Sequence, residues 1–261
     1  MTQLRVNKHI HPLYQNQKEE LTNLIENYDA LTTYLFKGSR NSIKLVTLST
    51  GQRVAIKSFK IPNELNKRVY KFFRKPKGLR SYEHAEKLKT LGVANPQAIA
   101  YFEYSTATTI RNTYYISEFV EAEMTYRDLI SQKNYPNREV ILEEFVRFSY
   151  GLHEKGIEFL DHSPGNTLIK KQDDGTYVFY LVDLNRMKFN QEMSFSNRMK
   201  NLAHLTTNIQ DIEKMAEHYA RLIGKSSKEV FIRLWLETIK FQFRFYKKKE
   251  LKFKIKRFYF S

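Results

Sequence analysis

Three polar residues, Asp161, Asn166 and Asp183, lie among short apolar segments in the stretch 156–189. Asp161 and Asn166 are five positions apart, and Asp183 follows the apolar run YVFYLV. Phosphoryl transfer from ATP needs one carboxylate to orient the acceptor hydroxyl, and a second carboxylate with an asparagine to hold Mg²⁺. Enzymes of this kind place the first carboxylate and the asparagine on one loop and the second carboxylate after a strand turn. The spacing therefore fits a catalytic loop, a hairpin and a metal-binding aspartate.

A lysine upstream completes the set of groups. The segment RVAIKSF contains the pattern V-A-I-K, whose last residue is Lys57. In kinases a lysine at this position neutralises the α- and β-phosphates of ATP. Glu83 and Glu86 lie on the helix predicted next, and we take Glu83 as the ion-pair partner of Lys57, although helical phase does not separate the two. Each residue alone also has an ordinary interpretation, as a surface lysine or a turn aspartate. One phosphotransferase hypothesis predicts all four in this order.

Two further segments are candidates for binding the nucleotide. The segment YYISEFVEAE has the character of an apolar strand followed by a hinge, which would offer backbone groups to adenine near Glu118 and Val120. The glycine-rich loop of ATP-binding proteins is reduced to KGSRN, in which Gly38 is the only glycine. We expect the backbone from Gly38 to Asn41 and the side chain of Arg40 to cover the phosphates.

The elements that must position these residues change in character along the chain. Residues 33–60 and the segments QAIAYFEYS and TYYISEFV have strand composition, and a helix is predicted over 79–91 between them. After residue 126 the apolar spacing becomes helical, apart from a strand pair that turns at DDG. Residues 198–261 are predicted to be mostly helical, with an aromatic-rich end that fits a helix or an extended segment. The histidines of HIH, 9–11, are expected at a mobile terminus.

This order of elements resembles the two-lobed protein-kinase-like fold, which belongs to the α+β class. Residues 1–120 would form a small β-rich N-lobe with one helix, and residues 121–261 a larger, mainly helical C-lobe with the catalytic loop and the metal site.

Four stretches carry a closer resemblance: VAIKSFK, RSYEHAEKLKTLGVANPQAIAYFE, GLHEKGIEFLDHSPGNTLI and VFYLVDLNRMKF. They are similar to the lipopolysaccharide-core (Kdo/heptose) kinases, in particular a Bacteroidetes-type branch, over residues 30–210. The resemblance implies an enzyme that uses ATP and Mg²⁺. It also implies that Asp161 is the catalytic base, that Asn166 and Asp183 are the Mg²⁺ ligands, and that Lys57 is the phosphate clamp.

The chain departs from protein kinases at several positions. Phe159 and Leu160 stand where protein kinases have His-Arg, and Asp-Leu-Asn replaces Asp-Phe-Gly at 183–185. Asn185 is of a type that tolerates a left-handed backbone, so the turn is retained in this interpretation. No Ala-Pro-Glu follows, and the segment after the metal-binding aspartate is short. These differences argue against a peptide platform and for a small or glycolipid acceptor.

Two segments hold most of the net charge of +16. Residues 60–80 carry eight Lys or Arg against one Glu, and residues 240–261 carry nine against one, interleaved with Phe and Tyr. This pattern suits an anionic membrane surface, an anionic lipid or a nucleic acid, and it also fits two solvated faces with core aromatics. Because no RNA-binding motif is recognisable, we expect an anionic membrane partner and no nucleic acid.

The composition sets the remaining limits. The chain contains no cysteine, which excludes disulfides, thiolate metal sites and cysteine nucleophiles. No signal-peptide core and no apolar window of membrane-spanning length is present. We therefore expect a cytoplasmic enzyme that is peripheral on the inner face of the cytoplasmic membrane and phosphorylates a sugar of the lipopolysaccharide inner core. A protein kinase for Tyr or Ser/Thr and a non-catalytic kinase-like scaffold are the alternatives.

Overall fold

The computed structural model describes residues 4–38, 41–60, 75–190 and 192–260, with the backbone alone at 60, 252 and 255–260. The chain forms two compact units. The first contains residues 1–121 and 180–186, and the second contains 122–179 and 187–261. The sequence-based division has a single cut after residue 120. It differs from the structure at 180–186, because this short segment packs with the N-terminal unit.

The first unit is built on an antiparallel sheet of six strands in the order β1-β5-β6-β4-β3-β2. The strands are β1 (Arg5–Ile10), β2 (Tyr34–Lys37), β3 (Asn41–Thr47), β4 (Arg53–Lys60), β5 (Ala98–Ser105) and β6 (Ile110–Glu118). Side chains alternate between the faces of a strand, so the fully buried Val54 and Ile56 of β4 face the core and Lys57 lies on the opposite face. In the register of the sheet, Lys57 stands between Ile43 and Tyr115.

Helices cover this sheet. Helix α1 (Lys18–Glu26) buries Leu21 and Ile25 in a core shared with Val54, Ile56 and other sheet residues. Helix α2 (Lys77–Thr90) starts after Pro76, buries Tyr82, Ala85 and Leu88, and ends before Gly92. Gly92 has φ +65°, a left-handed conformation that glycine adopts without steric cost.

The N-terminal histidines lie in and directly after strand β1, which pairs with β5, and this differs from the expectation of a mobile terminus at 9–11. His9 belongs to β1, and its ring lies 4.9 Å from that of Tyr82. His11 Nε2 lies 3.5 Å from Glu86 Oε2. All of β1 except Ile10 is exposed, so its sequence has no apolar alternation from which the strand could be recognised.

The second unit is mainly helical. Its helices are α3 (Tyr126–Ser131), α4 (Arg138–Glu154), α5 (Phe195–Leu202), α6 (Ile209–Ile223) and α7 (Ser227–Phe260). They pack around one core in which the rings of Tyr126 and Phe145 stack at 3.9 Å. The aromatic-rich end of the chain is helical, as part of the 34-residue α7. None of the helices in the described part of the chain combines the length and hydropathy needed to cross a bilayer.

Short strands hold the loops of the second unit. They are β7 (Met124–Thr125), β8 (Glu158–Phe159), β9 (Thr167–Lys171), β10 (Tyr177–Leu181) and β11 (Met187–Lys188). One sheet has the order β10-β9-β7, and β8 pairs with β11. The predicted turn at DDG is present, with Gly175 at φ +87° between β9 and β10. Asp183 follows the end of β10 after one residue, Val182, and Asp161 follows the end of β8 after one residue, Leu160.

Candidate active site

In the first unit, Lys57 and Asp183 form an ion pair. Strand β4 holds Lys57 with its side chain only 12 % exposed, and its Nζ lies 2.5 Å from Asp183 Oδ1. The two residues are 126 positions apart in the sequence. A charge-assisted hydrogen bond at a partly buried position is stronger than one in open solvent. The structure therefore brings the predicted phosphate clamp and a predicted metal ligand together.

The backbone at Asp183 is left-handed, with φ +59°. The sequence interpretation assigned this conformation to Asn185, so the structure moves it by two residues. Asn185 has another function, because its Nδ2 donates to Asp183 Oδ1 at 2.6 Å. A left-handed conformation is unfavourable for most residues with a Cβ, and aspartate is among the types that adopt it at lower cost. The bonds from Lys57 and Asn185 fix the carboxylate in this conformation.

His84 of α2 anchors the same turn. Its Nδ1 lies 2.6 Å from the carbonyl oxygen of Leu184, a residue that is 2 % exposed. Since a carbonyl only accepts, the Nδ1–H of His84 donates. Burial lowers the pKa of His84, against the opposing effect of this hydrogen bond. Helix α2 therefore contacts the Asp-Leu-Asn turn through a histidine, which sequence reasoning did not select.

The expected pair of Lys57 with Glu83 is not formed. Among the described residues, Lys57 pairs with Asp183, whereas Glu83 Oε1 lies 2.6 Å from Lys75 Nζ. The alternative, Glu86, lies near His11 and accepts a hydrogen bond from Gln97 at 3.4 Å. Both glutamates belong to the predicted helix, but periodicity does not reveal which cation each one faces.

The predicted nucleotide contacts lie at two ends of the sheet. Gly38 closes the turn between β2 and β3, with its N–H donating to Asn41 O at 3.0 Å, and a Cβ there would lie 2.8 Å from the Phe36 ring. A side chain at position 38 would therefore displace the exposed Phe36 ring, and glycine lets that ring pack against the turn. Arg40 lies outside the described residues.

At the other end of the sheet, the predicted hinge has a defined pattern of hydrogen bonds. The N–H groups of Glu118 and Phe119 donate to Gln97 O and Arg53 O, each at 3.0 Å. The side chain of Glu118 accepts from Tyr14 Oη at 2.5 Å and from Gln52 Nε2 at 2.7 Å. Both N–H groups are occupied, so the carbonyl of Glu118 and the N–H of Val120 remain the candidate adenine contacts.

In the second unit, Asp161 and Asn166 lie on one tight loop. Asn166 Nδ2 donates to Asp161 O at 2.8 Å, and Ser163 N donates to the same oxygen at 2.6 Å. Residues Pro164–Asn166 form a 3₁₀ turn. A Cβ on Gly165 would lie 3.0 Å from Arg127 Nη2, so glycine allows the arginine to pack against the loop. The loop between Asp161 and Asn166 is thus closed by a hydrogen bond from the asparagine side chain to the aspartate backbone carbonyl.

A buried histidine network lies beneath this loop. Asn201 of α5 donates through Nδ2 to Phe159 O at 2.8 Å, and its Oδ1 accepts from His162 Nδ1 at 3.1 Å and from His153 Nε2 at 3.2 Å. His153 Nδ1 in turn accepts from Tyr219 Oη at 2.7 Å. Burial lowers the pKa of His153 to about 4 and that of His162 to about 3, so both rings are neutral near pH 7. These four residues were missed by sequence reasoning, since hydrogen bonds over such separations have no sequence period.

The donor atoms of both units suit Mg²⁺, which prefers oxygen ligands. In the first unit, the carboxylate of Asp183 is held by Lys57 and Asn185 at one oxygen, Oδ1. In the second unit, Asn166 uses its amide nitrogen toward Asp161, which leaves the amide oxygen as a candidate ligand. Each residue therefore fits the function that the sequence predicts for it.

The comparison with known proteins identifies the family. The model of the lipopolysaccharide kinase (Kdo/WaaP) family matches residues 46–225. This chain belongs to that family. The match includes Lys57, Asp161, Asn166 and Asp183, and the chain is accordingly a kinase. No curated protein sequence matches it.

The comparison with solved structures gives one match that supports the fold. WaaP in complex with acyl carrier protein has a TM-score of 0.58 at 16% identity, with 94% of this chain and 98% of the other covered. The Rio2 kinase in an ADP/Mg²⁺-phosphoaspartate complex from Chaetomium thermophilum has a TM-score of 0.46 at 13% identity, over 82% of this chain and 65% of the other. The family, the kinase activity and the α+β kinase-like fold predicted from the sequence are confirmed.

Proposed function

We propose that this kinase transfers the γ-phosphoryl group of ATP, with Mg²⁺, to a Kdo or heptose hydroxyl of the lipopolysaccharide inner core at the cytoplasmic membrane face. The observation that carries the proposal is the ion pair of Lys57 with Asp183 at 2.5 Å, in a chain of the lipopolysaccharide kinase family. A cation for the phosphates and a carboxylate for the metal are thereby held at one position of the first unit.

The residues divide the reaction between them. Lys57 neutralises charge on the phosphates. Asn166 and Asp183 would hold Mg²⁺, which would supply further neutralisation of the transferred group. Asp161 accepts the proton of the sugar hydroxyl while the oxygen of that hydroxyl forms a bond to the γ-phosphorus. The bond from that phosphorus to the bridging oxygen breaks, and ADP leaves. The fixed Asp161 carbonyl, which accepts from Asn166 and Ser163, keeps the base in place.

The direct test is mass spectrometry of lipid A-core glycans from cells with and without the protein. The proposal expects glycans that lack one phosphate per molecule when the protein is absent. Purified protein with labelled ATP and deacylated lipopolysaccharide should restore it, and Asp161→Asn protein should not. Label incorporated into protein and not into glycolipid would instead support the protein-kinase alternative.

The acceptor is lipid-linked in this proposal, so the enzyme must work at a membrane. Helix α7 supports this requirement with exposed aromatic residues beside lysines: Phe243, Phe245, Tyr246 and Phe253 are each more than half exposed. Segment 60–80, the other predicted basic surface, lies outside the described residues over 61–74. Basic residues next to exposed aromatics bind anionic lipid surfaces by charge and by insertion of the rings.

A further inference from the structure

A polar cleft of about 190 Å³ lies in the second unit beside the catalytic loop. Its lining comes from β8 and the residue after it, from α5 and the residues that follow, and from α7: Glu158, Leu160, Lys200, Asn201, His204, Glu237, Phe241 and Arg244. Sites for drug-sized ligands occupy roughly 300–1,000 Å³. This cleft is smaller, and it fits a single sugar unit or an anionic substituent.

The two carboxylates of the cleft are already neutralised. Glu158 Oε2 lies 2.8 Å from Lys188 Nζ. Glu237, only 2 % exposed, lies 3.3 Å from Arg233 and 3.2 Å from Lys240. Both carboxylates are paired with cations that do not line the cleft. They therefore do not neutralise the cationic side chains that do line it.

The remaining positive charge belongs to Lys200 and Arg244. Within the described part of the chain, neither side chain forms an ion pair with a carboxylate; Arg244 Nε donates only to the backbone carbonyl of Lys240, at 3.0 Å. The guanidinium keeps further N–H donors, which suit the two oxygens of a carboxylate or phosphate. Both cations are exposed at the rim, whereas Asn201 and Glu237 are buried.

An apolar ring completes the cleft. Phe241 packs against His204 with ring centroids 4.2 Å apart. A ring face next to hydrogen-bonding side chains is the usual composition of a site for a small polar ligand. Saccharides combine apolar C–H faces with hydroxyl groups, so they are complementary to this mixed lining.

The position of the cleft connects it with the reaction. Leu160 lines the cleft, and Asp161 follows it directly, with consecutive Cα atoms about 3.8 Å apart. Asn201 lines the cleft and also holds Phe159 and His162 on either side of these two residues. A ligand in the cleft therefore contacts the residue that precedes the base in the chain and the asparagine that positions the catalytic loop.

We infer that this cleft binds an anionic group, a carboxylate or a phosphate, of the acceptor saccharide, with Lys200 and Arg244 as its ligands. This inference rests on the proposed function for the identity of the acceptor. It adds a requirement to that function: a neutral oligosaccharide binds poorly even when its reactive hydroxyl is present.

The test uses the full chain carrying Lys200→Gln and Arg244→Gln. The control carries Lys87→Gln and Lys228→Gln, which remove the same charge at exposed positions of α2 and α7. The probes are deacylated Kdo-containing oligosaccharides with their phosphates, without their phosphates, and with carboxyl-reduced Kdo. Phosphoryl transfer gives kcat and KM, and calorimetry gives the Kd of each probe.

The expected result is a KM and a Kd for the acceptor at least tenfold higher in the cleft variant, with the KM for ATP and the control variant within twofold of wild type. Loss of affinity on dephosphorylation identifies a phosphate as the ligand, and loss on carboxyl reduction identifies a carboxylate. Unchanged acceptor KM and Kd in the cleft variant would overturn the inference while leaving the kinase function intact. Cleft-dependent binding without transfer in the wild type would overturn the proposed function alone, and absence of both would overturn both.

Discussion

Asp183 has two functions that depend on different parts of the residue. Its carboxylate pairs with Lys57, and its backbone adopts φ +59° at the start of the turn that Leu184 and Asn185 complete. The spacing of polar residues predicted the carboxylate. The backbone conformation was not predictable, because it follows from how β10 ends and from bonds made by Asn185 and His84. Substitutions at this position can separate the two functions.

Asp183→Gly and Asp183→Ala should both abolish Mg²⁺-dependent nucleotide binding, since both remove the carboxylate. They should differ in stability. Alanine is strained at φ +59° and glycine is not, so we expect the glycine variant to be more stable by about 1 kcal/mol. Urea denaturation measures this difference. An alanine variant as stable as the glycine variant would show that the turn relaxes to another conformation when the carboxylate is lost.

Asp161→Asn tests the base. The amide retains the shape of the side chain but does not accept the proton of the hydroxyl, and general-base catalysis contributes typically 10²–10⁴-fold. We expect kcat to fall by about that factor, with the KM for ATP within about twofold of wild type. Steady-state kinetics with deacylated lipopolysaccharide gives both values. Turnover near that of wild type would remove Asp161 from the mechanism.

Among the elements of the second unit, helices α4 and α5 hold the catalytic loop through side-chain hydrogen bonds. Asn201 of α5 donates to the carbonyl oxygen of Phe159 and accepts from His162. His153 of α4 donates to the same Asn201 Oδ1 that accepts from His162. Protein kinases use a His-Arg pair before the catalytic aspartate, and here Phe159 and Leu160 occupy those positions. The departure was visible in the sequence, but the replacement was not, because Asn201 is an isolated polar residue in an otherwise ordinary helix.

The buried histidines make the stability of this unit depend on pH. In the unfolded chain both titrate near 6.5, whereas in the folded chain burial lowers the pKa of His153 to about 4 and that of His162 to about 3. Below pH 6.5 the unfolded state binds more protons, so the free energy of unfolding decreases as the pH falls. Between pH 7 and pH 5 the decrease should be about 2 kcal/mol for each histidine.

The measurement is urea denaturation monitored through Trp235, the single tryptophan, which packs against the core of the second unit. His162→Asn places an amide N–H near the position of Nδ1 without a titrating ring, and it should remove about half of this pH dependence. His9→Gln, at an exposed position of β1, is the control and should leave it unchanged. An equal pH dependence in all three proteins would exclude the buried histidines as its source.

Across the chain, predictions from the sequence succeeded where function requires a fixed spacing of residues. The family, the fold class and the main strands and helices from β2 onward were predicted, and Lys57 was predicted together with Asp183. Reasoning from the sequence failed where contacts are non-local or surfaces carry no pattern, as at β1 and at the partner of Glu83. The charge distribution is a property of the whole chain, and its consequence for membrane binding remains a prediction.

Helix α7 makes that prediction specific. Lys247, Lys248 and Lys249 lie among the exposed rings of Phe243, Phe245, Tyr246 and Phe253. A lysine near an anionic bilayer contributes on the order of 1 kcal/mol, so reversing three of them to Glu should weaken binding to anionic vesicles by more than a hundredfold. Binding of the wild type should also weaken as salt is raised, since the attraction is screened.

Vesicle co-sedimentation with anionic and with neutral lipid measures both effects, and a variant with Lys87, Lys133 and Lys155 changed to Glu provides the matched control. These three lysines are exposed and lie outside α7. Because the control carries the same change in net charge, equal losses in the two variants would mean that the total charge of the chain attracts it to lipid and that α7 has no special function. Binding that depends on α7 and on salt, together with unchanged turnover on deacylated acceptor, would show that the helix brings the enzyme to its lipid-linked substrate without taking part in the chemistry.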